Sequence, residues 1–173
     1  MKNALKNILV LLFASTFLFL SYRIISRINY IEEVQKNIET IPKFNYQNIK
    51  GGVFTNQNLE RESSTIFIYF NTECEFCNEE AKLIQDNINR FNKSQLVFVS
   101  FEEPELIKKF AQKHQLTTYD NVYFLCDNKV TFATTFDVNS MPCLVLYDKN
   151  QNLIEKVKGQ IKVESLIKKM NAK

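Results

Sequence analysis

The most informative part of the chain is Thr65-Ile66-Phe67-Ile68-Tyr69-Phe70, which is followed after a short gap by Cys74-Glu75-Phe76-Cys77. The first six residues are β-branched or aromatic and predict a buried strand. Residues 78–91 predict an amphipathic helix, because their apolar side chains recur at spacings of three and four. Cys74 therefore stands at a strand-to-helix turn, where unpaired N–H groups and the helix dipole favour a thiolate. A dithiol in this position is suited to thiol–disulfide exchange.

Composition and length limit the class of protein. The chain has 173 residues, of which 45% are hydrophobic and 24% are charged, as in a folded globular protein. This length allows one domain of about 130 residues and an appendage. The net charge is only +3, and no basic cluster is interleaved with aromatic residues. Nucleic-acid binding is therefore not indicated.

The N-terminal segment, residues 1–27, differs from the rest of the chain. Residues 7–22 carry no charge and are flanked by Lys6 and Arg23. This pattern predicts a membrane anchor, because flanking basic side chains can extend an apolar run that is shorter than the usual ~20 residues. A cleaved signal peptide and a buried helix of a soluble protein are the alternatives, although no small-x-small cleavage site follows. Since such an anchor before one domain is most often an export arrangement, we expect the domain on the extracytoplasmic, periplasmic side.

The remainder divides into a helical stalk or linker, residues 28–42, and a folded domain, residues 43–173. Ile41-Pro42 ends the helical pattern, because the residue before a proline is disfavoured in a helix. A hairpin is predicted from residues 44–49 to Val53-Phe54, with Gly51-Gly52 as its turn.

The domain alternates strands with helices. Further strands are predicted at residues 96–101, 122–126, 143–147 and 153–157, and further helices at residues 104–111, 128–136 and 163–170. Alternating strands and helices, followed by a terminal hairpin and helix, predict an α/β sheet sandwich.

This order of elements, with C-x-x-C after the first core strand and Met141-Pro142 opening a late strand, resembles the thioredoxin superfamily over about residues 44–170. The hairpin, an inserted strand–helix and the anchor resemble the TlpA-type redoxins, which are exported thiol–disulfide oxidoreductases. The resemblance implies a thioredoxin-like three-layer α/β sandwich with an N-terminal hairpin and an inserted strand–helix, preceded by an N-terminal membrane helix.

The resemblance also implies catalytic roles for four residues. Cys74 would be the exposed attacking thiolate, and Cys77 the buried resolving thiol that releases the partner from a mixed disulfide. Glu80, at a position where these redoxins often have a Glu, would move a proton on or off Cys77. Pro142 would be a cis-proline packed against the pair. No cofactor is implied. The implied partners are protein thiols or disulfides, and a membrane or soluble redox partner that resets the pair.

The surroundings of the dithiol depart from the family pattern. Glu73 stands where a Trp is usual, and Glu75-Phe76 replaces a Pro-containing dipeptide. Carboxylates on both sides of Cys74 oppose the helix dipole and disfavour the thiolate. We therefore expect a pair that is more reducing than that of a strong oxidant.

Two functional alternatives remain beside the oxidoreductase. One is a non-catalytic binding module on the thioredoxin scaffold, in which Cys74 and Cys77 form a structural disulfide. The other is a peroxiredoxin-type peroxidase, which requires Thr or Ser three residues before its reactive cysteine. Asn71 occupies that position, so this alternative is disfavoured.

The remaining cysteines and the histidine have plain interpretations. A zinc site would need four ligands, so Cys126 and Cys143 would have to complete it. Both lie in strand-like apolar runs and are expected to be buried small hydrophobic residues. Cys143 follows Pro142 directly and is alternatively a third thiol near the pair. His114 is expected to be a solvated surface residue of a helix.

Overall fold

The computed structural model describes residues 2–171, and the chain divides into two units, residues 1–37 and 38–173. In the first unit, helix α1 spans Lys2–Asn37. By length and composition its part Lys6–Asn37 could cross a membrane, and its most apolar window has a mean hydropathy of 2.2. A signal sequence has the same properties.

The second unit contains a seven-stranded sheet with the order β2-β1-β5-β4-β3-β6-β7. The strands are β1 Asn45–Asn48, β2 Val53–Thr55, β3 Ser64–Tyr69, β4 Ser94–Ser100, β5 Val122–Cys126, β6 Cys143–Tyr147 and β7 Leu153–Lys158. The helices are α2 Glu75–Asp86, α3 Pro104–Lys113, α4 Thr131–Thr135 and α5 Val163–Asn171, and short 3₁₀ turns span Asn56–Asn58 and Ile88–Phe91.

The dithiol lies at the end of the sheet where the central parallel strands terminate. β3, β4 and β5 are parallel to one another, while β6 is antiparallel to β3. The carboxyl ends of the three parallel strands therefore lie at one edge, where β6 begins. The predicted hairpin is present as β1 and β2, and its turn uses Gly51 and Gly52 with φ of 103° and 78°, which glycine adopts without steric cost.

Alternation along β3 sorts its side chains onto two apolar layers. Ile66, Ile68 and Phe70 pack in one core with buried residues of α2, α3 and α5. Tyr69, on the opposite face, stacks on Phe132 of α4 with ring centroids 5.1 Å apart. Helices thus cover both faces of the sheet, which confirms the predicted three-layer α/β sandwich.

Several boundaries differ from the sequence predictions. Helix α2 begins at Glu75 instead of residue 78, because Cys74 adopts an extended backbone and caps the helix. Helix α4 is limited to Thr131–Thr135, because Val130 before it has a left-handed φ of 55°. Ile38, predicted as part of the stalk, belongs to the folded unit, where its carbonyl accepts a hydrogen bond from Tyr147 Oη at 3.0 Å.

Candidate active site

The dithiol lies at the junction of β3 and α2. Phe70 still pairs with the sheet through its N–H, which donates to Val99 O at 3.0 Å, and the chain then turns into α2. Cys74 is the N-cap of α2, and its Sγ accepts a hydrogen bond from the backbone N–H of Cys77 at 3.3 Å. A sulfur at this position receives the unpaired donors of the first helical turn.

The two cysteines have different environments. Cys74 is half-buried, whereas the Cys77 side chain is only 2% exposed. Burial raises the pKa of the Cys77 thiol strongly, and its interaction with Cys74 acts in the same direction. The pair therefore combines one accessible thiol with one that holds its proton, and both are free thiols in this structure.

Glu80 lies one helical turn after Cys77 and is 0% exposed, so both side chains lie on the buried face of α2. Its Oε2 accepts a hydrogen bond from Ile161 N at 3.0 Å, whereas Oε1 has no hydrogen-bond partner among the described residues. Burial raises the pKa of Glu80 to about 7, although the bond from Ile161 opposes this shift. A carboxyl group that titrates near neutrality can accept or return a proton beside the dithiol.

The loop before β6 reaches the same place. The Met141–Pro142 peptide bond is cis, and Pro142 is buried. Cys74 Sγ donates a long hydrogen bond to Met141 O at 3.8 Å. The structure therefore brings Cys74, Cys77, Glu80 and the loop of Pro142 together at one edge of the sheet.

Cys126 and Cys143 do not lie together, and only Cys126 packs in the core that contains Cys77. β5 and β6 are separated in the sheet by β4 and β3, and three strand spacings amount to about 14 Å. Leu144 and Leu146 of β6 pack in the core that contains Cys77, so Cys143 points to the opposite face of the sheet. Within residues 2–171, no group of three or more His, Cys, Asp or Glu side chains is arranged to hold a metal ion.

The turn before Cys74 is held by Glu102, a residue that the sequence did not single out. Its carboxylate accepts hydrogen bonds from Thr72 N at 2.7 Å and from Thr72 Oγ1 at 2.8 Å. Ser100 Oγ also donates to it, at 3.1 Å. The hydroxyl of Thr72 is thus directed to the loop after β4 and not to a cysteine.

Asn78 is a second residue that the sequence did not identify. Its Nδ2 donates to Thr72 O and to Cys74 O, both at 2.9 Å. Its Oδ1 accepts hydrogen bonds from Lys113 Nζ at 2.7 Å and from His114 Nε2 at 3.0 Å.

The expectation that His114 is a solvated surface residue is wrong. Its ring is partly buried and packs on Phe110, with ring centroids 4.5 Å apart. Burial, together with neighbouring Lys113, lowers the pKa of the imidazole. No local pattern predicts this contact, because His114 and Asn78 are far apart in sequence and meet only when α3 packs beside α2.

Comparisons with known proteins agree with this architecture. The sequence profile of the AhpC/TSA family matches residues 38–156. Among curated proteins, none matches the chain.

Solved structures with a similar fold include a secreted Mycobacterium tuberculosis disulfide oxidoreductase homologous to E. coli DsbE. Its identity to this chain is 17% and the TM-score is 0.64. The match covers 75% of this chain and 96% of the oxidoreductase chain. StoA from Bacillus subtilis is similar at 17% identity and a TM-score of 0.59. The match covers 76% of this chain and 98% of the StoA chain. Peroxidoxin BcpB from Mycobacterium tuberculosis is similar at 15% identity and a TM-score of 0.66. The match covers 77% of this chain and 94% of the BcpB chain. At these identities the likeness establishes a common fold.

Proposed function

Because this chain belongs to the AhpC/TSA family and has a thioredoxin-like redoxin fold, we propose that it is a thiol–disulfide oxidoreductase. Cys74 is the attacking thiol and Cys77 the resolving thiol. The observation that carries the proposal is the asymmetry of the pair: Cys74 is accessible at a helix N-cap, while Cys77 is buried next to a buried carboxyl group.

The proposed reaction proceeds in two exchange steps. The Cys74 thiolate attacks one sulfur of a partner disulfide, so that a Cys74–partner bond forms and the second partner sulfur leaves as a thiolate. Glu80 then takes the proton of Cys77, whose sulfur attacks Cys74 Sγ and releases the first partner sulfur as a thiolate. The partner gains two electrons, and Cys74 and Cys77 become a disulfide.

The Met141–Pro142 loop supports this role by its position. The half-buried Cys74 sulfur lies beside Met141 O, so an incoming polypeptide would meet the sulfur and this loop together. We assign to Pro142 the packing of one side of the dithiol.

We propose that the pair works in the reducing direction. Glu73 and Glu75 are exposed on either side of Cys74, and their charges oppose a thiolate there. Repulsion between these carboxylates and a negative charge on the Cys74 sulfur would favour the disulfide form of the pair and hence donation of electrons. Another dithiol protein, in the membrane or soluble, would return two electrons and two protons to the pair.

The proposed site of action is outside the cytoplasm. The long apolar helix at the N-terminus supports anchoring by residues 1–27, with residues 28–37 as a linker and the unit that begins at Ile38 as the catalytic domain. Its clients would be disulfides of exported proteins.

Reduction of insulin by dithiothreitol, with the protein as catalyst, tests the proposal. Wild type and Cys126→Ser should accelerate the reaction, whereas Cys74→Ser should not. An inactive wild type would instead support the non-catalytic binding module. Consumption of hydrogen peroxide at a comparable rate would indicate the peroxidase, for which the Thr72 hydroxyl is unsuited because Glu102 holds it.

A further inference from the structure

We infer that Asn78 is a positioning residue for the dithiol, oriented by His114 and Lys113 of α3. The inference rests on the proposed exchange reaction, because it concerns the geometry of the turn that closes when Cys77 attacks Cys74.

The orientation of the Asn78 amide follows from its four partners. Thr72 O and Cys74 O can only accept hydrogen bonds, so the group that faces them must be Nδ2. The ammonium of Lys113 can only donate, so the group that faces it must be Oδ1. His114 then donates from a protonated Nε2 to the same oxygen. The four partners therefore use all four hydrogen-bonding capacities of this amide, its two protons and its two lone pairs.

The contributions of the two α3 residues differ. Lys113 is exposed, so its bond to Asn78 contributes little by itself. His114 is partly buried, and its ring is fixed against Phe110, so its bond to Asn78 is better shielded from water. Donors at Oδ1 also polarise the amide and strengthen the two bonds that Nδ2 donates.

The network acts on the segment that carries both sulfurs. Cys74 O accepts the Asn78 side chain at 2.9 Å and the Asn78 backbone N–H at 3.0 Å. The same turn directs Cys77 N towards Cys74 Sγ. Asn78 therefore ties Thr72, two residues before the dithiol, and the N-cap Cys74 to α2. His114 ties this assembly to the end of α3.

Closure of the Cys74–Cys77 disulfide needs the two sulfurs in attack geometry, so a turn that is held in place reacts faster than a loose one. Loss of two partly buried hydrogen bonds would release this turn. We expect closure to slow about tenfold, which corresponds to a barrier change of about 1.4 kcal/mol.

The test uses oxidised glutathione as a small disulfide on the full chain. Cys74 attacks it and releases one glutathione, and Cys77 then displaces the second glutathione from Cys74. Quenched samples analysed by mass spectrometry give the rate of this second step. The matched control is Asn87→Ala, because Asn87 at the other end of α2 likewise donates from Nδ2 to a backbone carbonyl, Leu83 O at 3.0 Å.

Asn78→Ala should slow closure about tenfold, and Asn78→Asp should slow it further, because a carboxylate oxygen would face two carbonyl oxygens. Asn87→Ala should close at the wild-type rate, although it also loses a side-chain bond to a backbone carbonyl. His114→Gln, which keeps a donor at the place of Nε2, should be close to wild type, whereas His114→Phe should be slower.

Equal closure rates for Asn78→Ala and Asn87→Ala would overturn the positioning role. That outcome is distinct from failure of the proposed function, which would appear as a wild type that closes with glutathione but does not reduce insulin.

Discussion

Cys77 and Glu80 lie one turn apart on the buried face of α2, and their side chains are 2% and 0% exposed. Each group resists ionisation because burial disfavours its charged form. Because two negative charges in this buried place would repel each other, at most one of the two groups is ionised at a time. An ionised Glu80 can then take the proton of Cys77 when that thiol attacks. The titration of Glu80 should therefore be visible in the pH dependence of the free energy of unfolding.

The first prediction concerns Glu80 and the pH dependence of stability. Folding raises the pKa of Glu80 from 4.5 to about 7. Below about pH 4.5 the carboxyl group is protonated in both states, and the full stability is present. Between about pH 4.5 and 7 the unfolded chain loses this proton while the folded protein retains it. The free energy of unfolding should therefore fall, by an amount on the order of 3 kcal/mol, and then level off.

Urea denaturation at several pH values checks this prediction. Glu80→Gln should remove the decrease over this range, since the amide does not titrate and its oxygen can still accept from Ile161 N. Glu79→Gln, an exposed change on the same turn, should retain it. His114, whose pKa is lowered by burial, acts in the opposite direction in wild type and variant alike. A wild-type curve that does not fall relative to that of Glu80→Gln would contradict the assignment of a buried protonated carboxyl group.

A second prediction separates the two cysteines. Cys77→Ser should accumulate a mixed disulfide on Cys74, because the group that releases the partner is absent. Cys74→Ser should form none, since Cys77 is buried and its pKa is strongly raised. Non-reducing electrophoresis of each variant after incubation with a disulfide-bonded protein measures the adduct. Adducts of equal yield on both variants would refute the division of roles.

The third prediction concerns Phe76, which stands between the cysteines and is 59% exposed. An exposed aromatic ring beside a reactive sulfur suggests contact with a protein partner. Burial of part of this ring contributes about 1–2 kcal/mol, so Phe76→Ser should raise KM for a protein disulfide about tenfold.

The reaction of Phe76→Ser with oxidised glutathione should change little, because that ligand is too small to need the ring. Val53→Ser provides the control, since Val53 is 58% exposed on a strand at the far end of the sheet. If Phe76→Ser and Val53→Ser have the same KM, Phe76 does not contact the partner.

A fourth prediction concerns Val130, a β-branched residue with a φ of 55° before α4. The left-handed conformation costs such a residue about 1–2 kcal/mol, while Asn tolerates it. The Val130 side chain is 42% exposed, so little burial would be lost on substitution. Val130→Asn should stabilise the protein by about 1 kcal/mol and raise Tm by about 2–4 °C.

Thermal melts of Val130→Asn and of the neighbouring exposed Lys129→Asn provide the measurement. The second variant should melt within about 1 °C of wild type, because a surface substitution without backbone strain has a small effect. A lower Tm for Val130→Asn than for Lys129→Asn would show that the valine is not strained.

The sequence predicted the features that depend on short-range periodicity. The β-branched and aromatic run of β3 and the spacing of Cys77 and Glu80 on α2 are local patterns, and both elements are present. The network of Asn78 with His114 was missed because it depends on how α3 packs beside α2. The length of α4 was overestimated because the left-handed backbone of Val130, which delays the start of the helix, cannot be read from the local pattern. Glu102 was missed because a carboxylate before a helix usually faces solvent.

The unequal burial of the four sulfurs has a practical consequence. Cys77, Cys126 and Cys143 are buried, and burial raises the pKa of each, whereas Cys74 alone is partly accessible. In the folded protein a maleimide dye or a thiol-reactive crosslinker should therefore attach at one position without removal of the other cysteines. A covalent adduct captured from cells could then be assigned to Cys74 by peptide mapping, and the unaltered chain can serve as its own bait for the client.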